Sequence, residues 1–284
     1  MKLQTPVTFP RSKVTVSFSD SIIILGSCFA DNIGQKMRNS GYDVCVNPFG
    51  TLYNPVSIAN AAARLDSAVP FSGKDCVEMG AGAGLFCSFS HHTSFARQDA
   101  AQFLEVANAS LARASEKWRN AGIVMVTLGT AFCYRRVSDG EVVANCLKRP
   151  AGEFSKELLT AGNVSLLLEN IVKRHPDKRF IFTVSPIRHM SDGAHSNQLS
   201  KSTLLLALEP LLNRPNVEYF PAYEIVLDEL RDYRFYADDM THPSDLAAGY
   251  IWDRFCDFAV PDDERDTLMK NTKAWRQSQH RPLH

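Results

Sequence analysis

Three polar side chains in this sequence have the types and spacing for nucleophilic chemistry. Ser27 follows Gly26 at the end of the apolar run Ser21–Leu25, just ahead of a helix-like segment. A serine hydroxyl attacks a carbon centre at neutral pH only when a base takes its proton. His242 is the candidate base, and Asp239, three residues earlier, is placed to hold the imidazole in one tautomer and to stabilise its charged form. Pro243 gives His242 a rigid exit, and Asp238 competes with Asp239 for the orienting role. Cys28 is a rival nucleophile, since a thiolate beside a histidine attacks well. Adjacent side chains at a strand–helix turn point in different directions, so Cys28 is read as part of the core.

The other reactive groups carry less. His91, His92, His189 and His195 match no zinc-ligand spacing, so neither a metal nor an organic cofactor is expected. Arg188 and His189 follow the apolar run Arg179–Val184 and are read as substrate-binding, Arg188 either for an anionic group or as a structural ion-pair partner. The glycines at 80, 82 and 84 have neither dinucleotide nor phosphate-loop spacing and read as a flexible loop.

The elements that would position these groups alternate. Ser21–Leu25, Ile123–Leu128, Arg179–Val184 and Val217–Phe220 are short β-branched or aromatic runs, read as buried strands. Between them lie helical patterns over Ala30–Ser40, from the Asn54-Pro55 start through Leu65, from Asp99 to Trp118, over Ser155–Arg174 and over Ser196–Leu212. Leu85–Phe89 reads as a short strand, and Phe132–Val137 with Glu141–Ala144 flanks the hairpin signal Asp139-Gly140. A last core helix over Ser244–Phe258 precedes Pro261 and a polar C-terminal helix. Strand–helix alternation of this kind implies a parallel sheet covered on both faces. Ligands of such sheets sit beyond the strand carboxyl ends. That edge is where Ser27, Cys28, Gly129, Thr130, Ser185 and His189 fall.

Composition narrows the class. The 284 residues carry 31 basic and 31 acidic side chains, and a net charge of zero argues against nucleic acid as a partner. No charged start followed by an apolar core opens the chain, and no run approaches membrane-spanning length, so neither a leader nor a membrane partner is expected. Seven cysteines, an odd number without a Cys-x-x-Cys pair, fit reduced thiols and a cytoplasmic location.

The segment Ile24-Leu25-Gly26-Ser27-Cys28-Phe29-Ala30-Asp31-Asn32-Ile33-Gly34 resembles the signature of the GSCFA family, which is grouped with the SGNH, or GDSL-like, hydrolases. Further matches are the stretch from Asn47 to Pro55, Gly129-Thr130-Ala131-Phe132, Asn145-Cys146, Ser185-Pro186-Ile187-Arg188-His189 and Asp239-Met240-Thr241-His242-Pro243. The resemblance implies an α/β fold, a flavodoxin-like three-layer α/β/α sandwich with a mainly parallel sheet. It maps Ser27 to the nucleophile, His242 to the base and Asp239 to the acid. In such enzymes the oxyanion is held by the serine N–H, a glycine N–H and an asparagine amide. Gly50 is the glycine match, whereas Ala131 and Phe132 stand where Asn-Asp is expected. Asn145, returned by the hairpin, is the expected substitute, and Asn54 and Thr130 are the next candidates, otherwise read as substrate-binding.

The expectation is thus one domain over residues 1–284, with 262–284 as a helical extension. Its function would be a serine ester hydrolase acting on a small acyl ester, such as an acetylated carbohydrate, through an acyl-enzyme on Ser27. Acyl transfer to an acceptor alcohol by the same triad, or a non-catalytic binding protein of the same fold, are the alternatives. Oligomeric state is left open.

Overall fold

The computed structural model describes residues 5–279. Five parallel strands form the central sheet: β1 (Ser21–Gly26), β2 (Asp43–Val46), β3 (Ile123–Leu128), β4 (Arg179–Val184) and β5 (Val217–Tyr219). Their spatial order is β5-β4-β3-β1-β2. This is the flavodoxin-like order 2-1-3-4-5, and its topological switch lies between β1 and β3. The register pairs Gly26 with Thr127 and Leu128 with Val184, so β1, β3 and β4 end together at one edge.

Alternation along the strands divides the core in two. Ile23 and Leu25 of β1 face the cluster that also holds Phe103, Leu111 and Trp118 from α3 (Ala100–Asn120), with α2 (Pro55–Ser67), α4 (Ala161–Arg174) and α5 (Gly193–Leu208) on the same side. Ile22 and Ile24 face the other cluster, shared with Phe29 and Met37 of α1 (Cys28–Asn39) and Ile251 and Phe255 of α6 (Asp245–Ala259). The expected three-layer sandwich is therefore present, and α7 (Arg265–Gln279) follows α6. The expected extension over 262–284 reaches residues 280–284, which lie outside the described ones.

Several boundaries differ from expectation. β2 was not anticipated: Asp43-Val44-Cys45-Val46 is a short, half-exposed edge strand without a clear apolar run. Helix α1 starts at Cys28, two residues early, which decides where residues 27 and 28 point. The expected helix over Ser155–Arg174 is two elements. Phe154–Leu158 pairs antiparallel with Phe132–Arg136, and α4 begins only after Thr160, whose hydroxyl accepts the Asn163 N–H. Strand pairing here overrides the helix preference of Lys156, Glu157 and Leu158. The hairpin is present as Phe132–Arg136 with Val142–Val143 and lies over the carboxyl edge of the sheet.

Candidate active site

The end of β1 is fixed by close approach. A Cβ on Gly26 would lie 2.1 Å from the Thr127 carbonyl oxygen, and φ there is +146°, so glycine is required on both counts. The Gly26 N–H donates to Asn47 Oδ1 at 2.8 Å, while Asn47 Nδ2 donates to Asp31 Oδ1 at 2.9 Å. Asn47 has φ +45°, a conformation that asparagine tolerates better than most residues. Further on, the Leu52 N–H returns to the Gly26 carbonyl, and the Tyr53 carbonyl accepts the N–H groups of Gly129 and Thr130, both at 2.9 Å. The segment from Asn47 to Asn54 thus ties the carboxyl ends of β1 and β3 together across the switch point.

Ser27 and Cys28 diverge from this anchor. Ser27 is the N-cap of α1 and is fully buried, and its Oγ has no hydrogen-bond partner. Cys28 is the first helical residue and borders a cavity of about 380 Å³, together with Tyr53, Asn145, Arg188, His189 and His242. Its Sγ lies 3.3 Å from His242 Nε2. His242 Nδ1 in turn donates to Asp239 Oδ2 at 2.5 Å, which leaves Nε2 as the acceptor facing the thiol. The expected convergence of chain ends at this edge therefore occurs, but the nucleophilic atom in contact with His242 is the Cys28 sulfur. Ser27, expected as the nucleophile, is buried without a hydrogen-bond partner, and Cys28, expected in the core, borders the cavity: the early start of α1 turns residue 27 inward and residue 28 toward the crevice.

Asp239 is held as a carboxylate. The N–H groups of His242 and Thr241 donate to its Oδ1, both at 2.9 Å, and with the imidazole they keep its pKa well below the usual carboxylate range. Met240, between them, has φ +56°, which closes this tight loop. Arg188 clamps the loop from outside, its backbone N–H bonding the Thr241 carbonyl and its Nη1 the Met240 carbonyl, each at 3.1 Å. Its guanidinium sits over the Tyr236 ring, and among the described residues no carboxylate pairs with it. Asp238, the competing acid, makes no contact with His242 among the described residues.

The Cys28 thiol has its pKa pushed above the ordinary 9.0 chiefly by burial and also by the charge of Asp31; its own and the Phe29 N–H groups and the Tyr53 hydroxyl act the other way. No side chain caps α1, so those N–H groups in its first turn lack helical acceptors and face the sulfur.

The expected oxyanion donors fare differently. The Gly50 N–H is engaged by the Asn47 carbonyl at 2.8 Å, and a Cβ on Gly50 would meet His92 at 2.4 Å, so Gly50 serves a turn packed on His92. The Ser27 N–H is engaged by the Thr127 carbonyl at 3.1 Å. Both N–H groups, expected as oxyanion donors, already have backbone acceptors. Asn145 borders the cavity; its Oδ1 accepts the Leu147 N–H at 2.8 Å, leaving Nδ2 as its donor. Asn54 and Thr130 border the cavity mainly as structural groups. Asn54 Oδ1 caps α2 through the Ser57 N–H, and Thr130 Oγ1 bonds Ser200 Oγ and the Phe132 N–H.

Sequence reasoning missed three site residues. Tyr53 stands with its ring edge-on to His189, centroids 5.8 Å apart, and lines the same cavity as Cys28. Lys156 sits over the Phe132 ring and pairs with Asp192 on the cavity wall. Lys201 is fully buried, and its Nζ donates to the carbonyls of Gly129 and Ser185, each at 2.7 Å, joining the ends of β3 and β4. Burial lowers its pKa to about 7. Burial, with the nearby Lys201 charge, also lowers His189 to about 4, so His189 is neutral at physiological pH. A buried lysine within a helix gives no signal in sequence. Tyr53 lies in a stretch that the resemblance had already marked.

Among the described residues no cluster of three His, Cys, Asp or Glu side chains is arranged to hold a metal ion. No described helix is long and apolar enough to cross a membrane.

No protein of curated function matches the sequence. Among solved structures, an acetyl xylan esterase from the rumen bacterium Butyrivibrio proteoclasticus is similar over 91% of this chain and 65% of that one, with 11% identity and a TM-score of 0.36. The chain thus spans less than two thirds of that protein's length. Residues 21–255, which hold the whole sheet, the cavity and the Asp239–His242 loop, match the GSCFA family model, and the chain belongs to the GSCFA family.

Proposed function

We propose that this protein is an acyl hydrolase that cleaves a small ester through a thioester on Cys28, with His242 as base and Asp239 as the acid that orients it. The observation that carries this reading is the relay from Cys28 Sγ to His242 Nε2, and from His242 Nδ1 to Asp239 Oδ2, opening on one cavity. The resemblance to the SGNH hydrolases adds the reaction class, with the nucleophile moved one residue from Ser27 to Cys28.

The steps balance without a cofactor. His242 Nε2 takes the thiol proton as Sγ bonds to the ester carbonyl carbon, and the carbonyl oxygen becomes an oxyanion. The Cys28 N–H, in the uncapped first turn of α1, and Asn145 Nδ2 are the proposed donors to it. Collapse breaks the bond to the alkoxide, which receives the proton from His242. Water then gives a proton to His242 and attacks the thioester carbonyl; the acid leaves and the sulfur regains its proton. Because burial raises the Cys28 pKa, its resting form is the thiol. Arg188, His189, Asn54 and Thr130 are the proposed substrate-facing walls.

The test is a panel of p-nitrophenyl esters of increasing acyl length, hydrolysed by the wild type, Cys28→Ala and Ser27→Ala. Hydrolysis that is lost in Cys28→Ala and kept in Ser27→Ala supports the reading. Hydrolysis that survives in Cys28→Ala contradicts it.

A further inference from the structure

With the N–H groups of Gly50 and Ser27 engaged elsewhere, the site holds a donor that no SGNH-type pattern supplies. We propose that the Tyr53 hydroxyl donates to the oxyanion formed when Cys28 attacks an acyl group, a role that rests on Cys28 being the nucleophile. Tyr53 is immobilised at three points. Its carbonyl accepts the N–H groups of Gly129 and Thr130, its ring lies edge-on to His189, and its phenol oxygen accepts a hydrogen bond from Thr51 Oγ1 at 3.2 Å. Thr51 is the donor in that last contact, so the phenol keeps its own proton for another acceptor. Tyr53 and Cys28 line the same cavity, and each shifts the other's titration.

An acyl oxygen bound to the carbon that Sγ attacks sits one bond away from that carbon. A donor on the wall that also carries Cys28 faces the space this oxygen enters. The ordering of Tyr53 is complete before substrate arrives, which is the condition under which such donors contribute most. Burial raises the Tyr53 pKa above 10.0, so the group stays a protonated donor throughout the neutral range.

Two single-turnover reactions separate this role from a structural one. Acylation of Cys28 by p-nitrophenyl acetate passes through an oxyanion, whereas alkylation by iodoacetamide does not. Both are read on the Cys28 peptide by digestion and mass spectrometry, because the other six cysteines are also free thiols. Tyr53→Phe, which keeps the ring, is expected to slow acylation by about 10²-fold, as loss of an oxyanion donor does, while alkylation slows by less than about fivefold. Thr51→Val, which frees the phenol to rotate, is expected to slow acylation by several-fold and leave alkylation unchanged. Equal slowing of both reactions in Tyr53→Phe, or no slowing of acylation, overturns the role. Acetylation of Ser27 in Cys28→Ala, with ester turnover retained, would instead strike the nucleophile assignment.

Discussion

Gly26, Ser27 and Cys28 carry three different jobs in three consecutive positions. Gly26 lets β1 touch β3, Ser27 starts α1 with a buried hydroxyl, and Cys28 faces the crevice. Removing the orphaned Ser27 hydroxyl takes away a buried polar group with no partner. Ser27→Ala is therefore expected to keep ester turnover within about twofold and to melt at the same or a higher temperature, by calorimetry. Asp239→Asn keeps the loop but loses the charge that fixes the tautomer; kcat should fall by about 10²–10⁴-fold with the fold intact, by circular dichroism. Because burial dominates at Cys28, its rate of alkylation should keep rising with pH beyond 9.0, the midpoint of an ordinary thiol. A plateau already reached at pH 7 would show a thiolate–imidazolium pair instead. The sequence made Asp239 and His242 legible through their spacing. It favoured Ser27 over Cys28 with α1 starting two residues too late, and a helix boundary is the least readable feature of a sequence.

At the scale of elements, the carboxyl edge is assembled by irregular backbone rather than by regular strands. Asn47 is its keystone, 8% exposed and bonded to both Gly26 and Asp31. Asn47→Ala leaves the Gly26 N–H without a partner and places alanine at positive φ; it should cost about 1–3 kcal/mol, measured by urea denaturation, and lower turnover along with it. Four of the five sheet strands were legible because buried parallel strands are continuous apolar runs. The edge strand β2 has no such run, and Phe154–Leu158 has the composition of a helix but pairs with the hairpin. Two of the three groups missed in sequence share one cause. Tyr53 and Lys201 act through backbone carbonyls brought together by the sheet order, a relation between distant segments that local pattern does not hold.

For the whole molecule, two cores hold the sheet, and one of them contains a buried histidine. His91 is 0% exposed; its Nδ1 bonds Ser88 Oγ at 2.6 Å, and its ring packs among Phe49, Phe71, Phe95 and Phe103. Burial, helped by the charge of Arg64, lowers its pKa to about 3 from 6.5. His189 is lowered to about 4. Both are neutral when folded and take up a proton on unfolding once the pH is below 6.5, so the unfolded chain binds more protons there. Stability is then lost as pH falls from 6.5 toward 4, by up to about 1.4 kcal/mol per pH unit for each histidine. The raised carboxyls of Asp31, Glu224 and Asp253 act in the opposite sense. His91→Phe should flatten the pH dependence in this window, read from urea midpoints at successive pH values; an unchanged slope would place the acid sensitivity elsewhere.

The most direct test of the central claim is to find which atom carries the acyl group. The wild type is mixed with p-nitrophenyl acetate, quenched in acid before the intermediate turns over, digested and sequenced by tandem mass spectrometry. A thiol nucleophile gives an acetyl group on Cys28 that hydroxylamine removes at neutral pH, and no modified peptide from Cys28→Ala. An acetyl group on Ser27, still formed in Cys28→Ala, would contradict the thioester mechanism and return the serine to the role its sequence first suggested.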